Sequence, residues 1–79
     1  MGKTSMNNMK KGETGTVICQ NAPDNIRRRL QDIGIVEGAK IQCVLKSPLG
    51  DPKAYRVRGA VVAIRAKDSS DIIIELDKG

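Results

Sequence analysis

The apolar positions of this chain change period several times along its length, and each change marks a candidate element. Thr16–Gln20 carries a continuous apolar run, Val17-Ile18-Cys19, which fits a short strand without saying which face is buried. In the stretch NAPDNIRRRLQDIG the period lengthens. Ile26, Leu30 and Ile33 fall at i, i+4 and i+7, one face of a helix. Pro23 suits the first helical turn, Asp24 complements the positive end of the dipole, and Gly34 fits a left-handed C-terminal cap. These signals predict a helix at about 24–33. Val36-Glu37-Gly38-Ala39 reads as a type II turn, with Gly38 at the position that needs positive φ. Strict alternation follows in Lys40–Lys46, with Ile41, Cys43 and Leu45 inward and Lys40, Gln42 and Lys46 outward. Ala54–Arg58 places Tyr55 and Val57 on one face and Arg56 and Arg58 on the other. Gly59 is expected to break or bulge the strand, and Val61–Ala66 resumes with Val62 and Ile64 inward. Lys67-Asp68-Ser69-Ser70 reads as a turn, and Asp71–Asp77 closes with Ile72, Ile74 and Leu76 inward.

Residues 1–8 are polar and aperiodic and are expected to form a disordered tail, leaving 9–79 as a single domain. About five short strands, with the helix between the first two, point to a mainly β fold: a small, strongly bent barrel. Closing such a sheet leaves few unpaired strand edges. A chain of 79 residues buries little surface, so nearly every apolar residue matters to its few kcal/mol of stability.

Composition narrows the chemistry. There is no histidine, which removes the usual general base and the commonest transition-metal ligand. No glycine-rich phosphate cradle and no Cys-x-x-Cys is present, and Tyr55 is the only aromatic residue. The expectation is a chain without catalytic residues, cofactor or metal site. Cys19 and Cys43 both sit in apolar runs and read as reduced core residues. No apolar stretch approaches the ~18–20 residues that span a bilayer, and the N-terminus lacks the apolar core of a secretory signal, so a cytoplasmic protein is expected. Fourteen basic against nine acidic residues give a net charge of +5, which favours anionic partners.

The corner SPLGDP, residues 47–52, raises a question. Ser47-Pro48-Leu49-Gly50 fits a type I turn and Asp51-Pro52 stiffens its exit, yet the tip carries a large apolar residue. One reading folds Leu49 back over the barrel end as a lid. The preferred reading makes it an anchor for another protein, pre-ordered by Pro48 and Pro52 and rimmed by Asp51, Arg56 and Arg58.

RRRLQDIGIVEGAKI, SPLGDPKAYRVRG and VAIR, in this order and at short spacing, resemble the ferrous iron transport protein A (FeoA) family over roughly residues 10–77. Glu37 departs from the pattern, since the family often has Pro before the turn glycine. The resemblance implies an SH3-like β-barrel. It also implies an accessory role in bacterial ferrous iron uptake, with the membrane GTPase transporter FeoB as partner on its cytosolic side. The protein would then lie against the inner membrane only through that partner. Pro48, Leu49, Gly50, Asp51, Pro52, Arg56 and Arg58 are the candidate partner-binding residues, with another copy of the chain as a second occupant.

The cluster Arg27-Arg28-Arg29 is a secondary candidate: a solvated helical face, or a contact for phosphates or an acidic partner. A small basic barrel binding nucleic-acid phosphates is the alternative function, although one aromatic residue gives bases little to stack on. Proline-rich peptides are a poor fit for the same reason. Asp68 and Asp71, and Glu75 and Asp77, read as solvated carboxylates rather than an iron site.

Overall fold

The computed structural model describes residues 2–77 apart from Ser47 and Leu49. Its elements are β1 (Lys3–Ser5), a 3₁₀ turn (Met6–Asn8), β2 (Thr14–Gln20), α1 (Asp24–Asp32), β3 (Lys40–Lys46), β4 (Lys53–Val57), β5 (Ala60–Ile64), the single-turn helix α2 (Ala66–Ser69) and β6 (Ile72–Leu76). The strands form one antiparallel sheet in the order β1-β6-β2-β3-β4-β5. The helix at 24–33 is where the periodicity puts it, but it lies between the second and third strands. The turn expected at 67–70 is the short helix α2.

The extra strand is the main correction. The segment expected to be a disordered tail pairs with β6, Thr4 opposite Ile74, and then drives Met6 and Met9 into the core at 0% and 1% exposure. Local polarity hid this because only two side chains of residues 2–9 are fully buried, and they stand at the two ends of a 3₁₀ turn rather than in a periodic run.

Two register shifts account for the misplaced inward residues. Between Cys43 and Leu45 one extra residue enters β3, so alternation fails and Leu45, expected inward, is 56% exposed. A similar shift between Val17 and Cys19 leaves Cys19 half-buried instead of in the core, while Cys43 is fully buried. Tyr55, Val57, Ile64, Ile72 and Ile74 are buried as the alternation requires, and Val62 and Leu76 pack at the core's edge.

Gly59 does not interrupt a continuing strand; it reverses the chain. Arg58 (φ 54°) and Gly59 (φ 81°) both have positive φ, the signature of a two-residue type I′ turn between Val57 and Ala60. At the end of α1, Gly34 (φ 99°) completes a Schellman motif. Its N–H donates to the Gln31 carbonyl at 3.0 Å, and the Ile35 N–H donates to the Leu30 carbonyl at 2.9 Å. A Cβ at Gly34 would lie 3.0 Å from Arg58 Cδ, so close packing reinforces the demand for glycine.

Among the described residues no backbone pairing joins β1 to β5; side chains bridge the two ends instead. From β4, the buried Tyr55 hydroxyl donates to the Met6 carbonyl at 3.3 Å. Lys53 Nζ donates to the carbonyls of Asn7 and of Met9, the latter at 3.1 Å. Ser5 Oγ donates to the Ser69 carbonyl at 3.3 Å, tying α2 to the same segment.

Two outcomes follow from this closure. Met6→Ala is expected to cost about 2–4 kcal/mol in urea denaturation, as for other buried methionines; a free tail would make it neutral. Burial raises the Tyr55 phenol from 10.0 to about 12, with a nearby Ser69 hydrogen bond partly offsetting the desolvation. Above pH 10 the unfolded chain loses that proton while the folded chain retains it, so this contribution to stability falls by about 1.4 kcal/mol per pH unit up to the folded value. Tyr55→Phe removes that component. Because Tyr55 is the sole aromatic residue, phenolate absorbance reads it alone, and a folded-state midpoint near 10 would contradict its burial.

Candidate docking surface

The corner enters the structure through Pro48, Gly50, Asp51 and Pro52; Leu49 lies outside the described residues. Pro48, Asp51 and Pro52 are exposed, and Gly50 takes a positive φ of 82°. The Asp51–Pro52 peptide bond is cis. Asp51 has an internal task, because its Oδ1 accepts the backbone N–H of Ala66 at 2.7 Å. That N–H opens α2 and has no intrahelical acceptor, so the carboxylate serves as a cap supplied from another segment. The corner is thereby tied to the end of β5.

Arg58 lies beyond the far end of β4 from it. The five residues of β4, at about 3.3 Å each, put roughly 17 Å between its start at Lys53 and Arg58. Arg56 and Arg58 both line a groove of about 290 Å³ with Lys40, Gln42, Thr14 and Asp77. Asp77 accepts from Lys40 Nζ at 2.9 Å and from Thr14 Oγ1 at 3.0 Å, which together hold its carboxyl below the usual range. Lys40 is thus partly neutralised, and Arg56 and Arg58 supply the groove's remaining positive charge.

The triplet Arg27-Arg28-Arg29 is exposed throughout but does not make one surface. Consecutive helical side chains diverge by about 100°. Accordingly Arg27 borders a groove with Gln20, Gln31 and Glu37, while Arg29 borders another on the β5 side. In the first of these, buried Gln20 donates through Nε2 to the Ile35 carbonyl at 3.0 Å.

The groove beside Arg29 runs between α1 and the end of β5 and encloses about 280 Å³. Ile26, Leu30, Ile33 and Ile64 contribute its apolar lining, and Arg29, Arg65 and Lys67 its cations, against one carboxylate, Asp68. Ile33, read as part of the buried helical face, is 39% exposed here. Sequence reasoning did not single out Arg65 and Lys67. The available signal was the uncharged run Ala60-Val61-Val62-Ala63-Ile64 bounded by Arg58 and Arg65, unusual for a strand at a sheet edge, where charges normally discourage pairing.

No three His, Cys, Asp or Glu side chains come together among the described residues. No helix among them is long and apolar enough to cross a membrane.

Comparison with known proteins places this arrangement. The solution structure of the FeoA protein from Chlorobium tepidum shares 30% identity and superposes with a TM-score of 0.88 over 96% of this chain and 75% of that one. The zinc complex of Stenotrophomonas maltophilia FeoA, described as a procaryotic SH3 domain protein, shares 25% identity with a TM-score of 0.79, covering 91% and 89% of the two chains. The mainly β, SH3-like fold is therefore that of these proteins. A fusion of Fe(2+) transport protein A with the Fe(2+) transporter FeoB from Porphyromonas gingivalis is 31% identical over 65 residues, which is 82% of this chain and 8% of the fusion's length. The FeoA domain model matches residues 4–76, almost the whole described sheet, and the chain belongs to the FeoA domain family.

Proposed function

We propose that this chain is a non-enzymatic cytoplasmic accessory of ferrous iron uptake that docks on the transporter FeoB. The observation that carries the reading is the relative in which one polypeptide joins the two. A covalent link holds two domains at high effective concentration; a separate chain has to supply a surface instead. The surfaces available here suit binding rather than reaction. The sequence has no histidine, and each of two grooves sets aliphatic side chains and several cations beside a single carboxylate, Asp68 in one and Asp77 in the other.

The cations Arg56 and Arg58 favour one alternative, contact with nucleic-acid phosphates. Salt separates the two. Phosphate binding weakens steeply with ionic strength through counterion release, while an apolar dock is less sensitive.

The test is binding of the purified chain to purified FeoB in detergent, at low and high salt, beside a duplex oligonucleotide. Saturable binding to FeoB that survives added salt is expected. Leu49→Asp should weaken it by roughly tenfold to a hundredfold, the equivalent of one leucine's burial, with the circular dichroism unchanged. Normal binding by a folded Leu49→Asp protein removes the corner from the interface. Salt-sensitive oligonucleotide binding with no FeoB binding overturns the whole reading.

A further inference from the structure

The β4–β5 hairpin determines which backbone groups of β5 are free. A two-residue type I′ turn makes Val57 and Ala60 a hydrogen-bonded pair. Alternation along the ladder then bonds Val62 to Tyr55 and Ile64 to Lys53, while Val61 and Ala63 direct their N–H and C=O groups away from β4. Among the described residues no strand pairs with that side. The usual protections of an edge are missing too. β5 contains no charge, no proline and no bulge, and Val61 is 55% exposed. The other edge of the sheet, β1, is three residues long and carries Lys3.

Beside this edge lies the groove against α1, where the aliphatic side chains of Ile26, Leu30, Ile33 and Ile64 are set among Arg29, Arg65, Lys67 and the single carboxylate of Asp68. Arg58 stands at the opposite end of the strand. A bare row of backbone donors and acceptors, a groove that mixes aliphatic and cationic side chains, and cations at both ends specify an occupant. We propose that β5 captures an extended acidic segment of another protein as an additional strand, its backbone pairing with Val61 and Ala63 and its carboxylates facing Arg29, Arg65 and Lys67. A second copy of this chain is a poorer occupant, since it would bring the same cationic border on a molecule of net charge +5. The inference rests on the reading of the chain as a docking module and names the chemistry of what is docked, independently of which protein supplies it.

The probe is a capped seven-residue peptide of alternating isoleucine and glutamate. Its lysine counterpart, a backbone N-methylated version and a thymidine oligonucleotide serve as controls, with ¹⁵N spectra and amide hydrogen exchange of the full chain as readouts. The acidic peptide is expected to shift and protect the Val61 and Ala63 amides, and the N-methylated and lysine peptides to do neither. Arg65→Glu should weaken the acidic peptide by about fivefold to tenfold, the value of one or two exposed charge contacts. Ala63→Pro, which removes an outward donor and spares the β4 ladder, should abolish protection at Val61 while the core amides stay slow. Equal binding of the N-methylated peptide, binding that leaves Val61 and Ala63 untouched, dimerisation through β5 in sedimentation, or protection by the oligonucleotide alone would each overturn the proposal. FeoB binding that persists without any peptide binding would overturn the β5 site and leave the docking role standing.

Discussion

The buried hydrogen bond from Tyr55 to the Met6 carbonyl is the constraint on which the rest of this small structure depends. A sheet of six short strands buries too little to hold its curvature by area alone. Tyr55 supplies the largest fully buried side chain, and its hydroxyl must have a partner in that environment. The carbonyl that meets it belongs to the turn after β1. Satisfying one polar atom therefore draws the N-terminal segment across the core, seats Met6 and Met9, and brings Lys53 onto two further carbonyls of the same stretch.

This closure gives the two edges of the sheet different characters. On one side, β1 is short and followed at once by the buried turn. On the other, β5 ends where the Asp51 carboxylate caps α2, so the strand is terminated cleanly without being covered. Placing α1 across a groove from that edge leaves room beside an apolar strand. In a family one of whose relatives is fused to an Fe(2+) transporter, an exposed edge with cations at both ends is the surface to explain.

Much of this was legible in the sequence, because the signals were periodic or carried by special residues. The face of α1 with Leu30, the Gly34 cap, the Gly38 turn and the inward Tyr55, Ile72 and Ile74 all follow from spacing and positive-φ chemistry. The failures share a cause, which is that bulges and two-residue turns shift phase without changing composition. Leu45 was assigned by alternation that one inserted residue reverses, and Cys19 by its place in an apolar run whose phase a similar shift changes. Arg58-Gly59 was read as an interruption because type I′ turns usually announce themselves with Asn-Gly or Asp-Gly. Met6 and Met9 belong to no periodic run, and the long-range contacts that explain them come from Tyr55 and Lys53 on β4. At the candidate site, the corner was visible as a turn, but its pairing with Ala66, and the separation of Arg58 from it, depend on strand length and tertiary contact.

The central claim is that the sheet is sealed at its N-terminal end and open along β5. Native-state amide exchange of the free protein tests it residue by residue. The account predicts an alternating pattern along β5, with Ala60, Val62 and Ile64 slow and Val61 and Ala63 fast, beside a slow β6. Uniformly slow exchange through Ala60–Ile64 would mean that the edge is already occupied, and would contradict it.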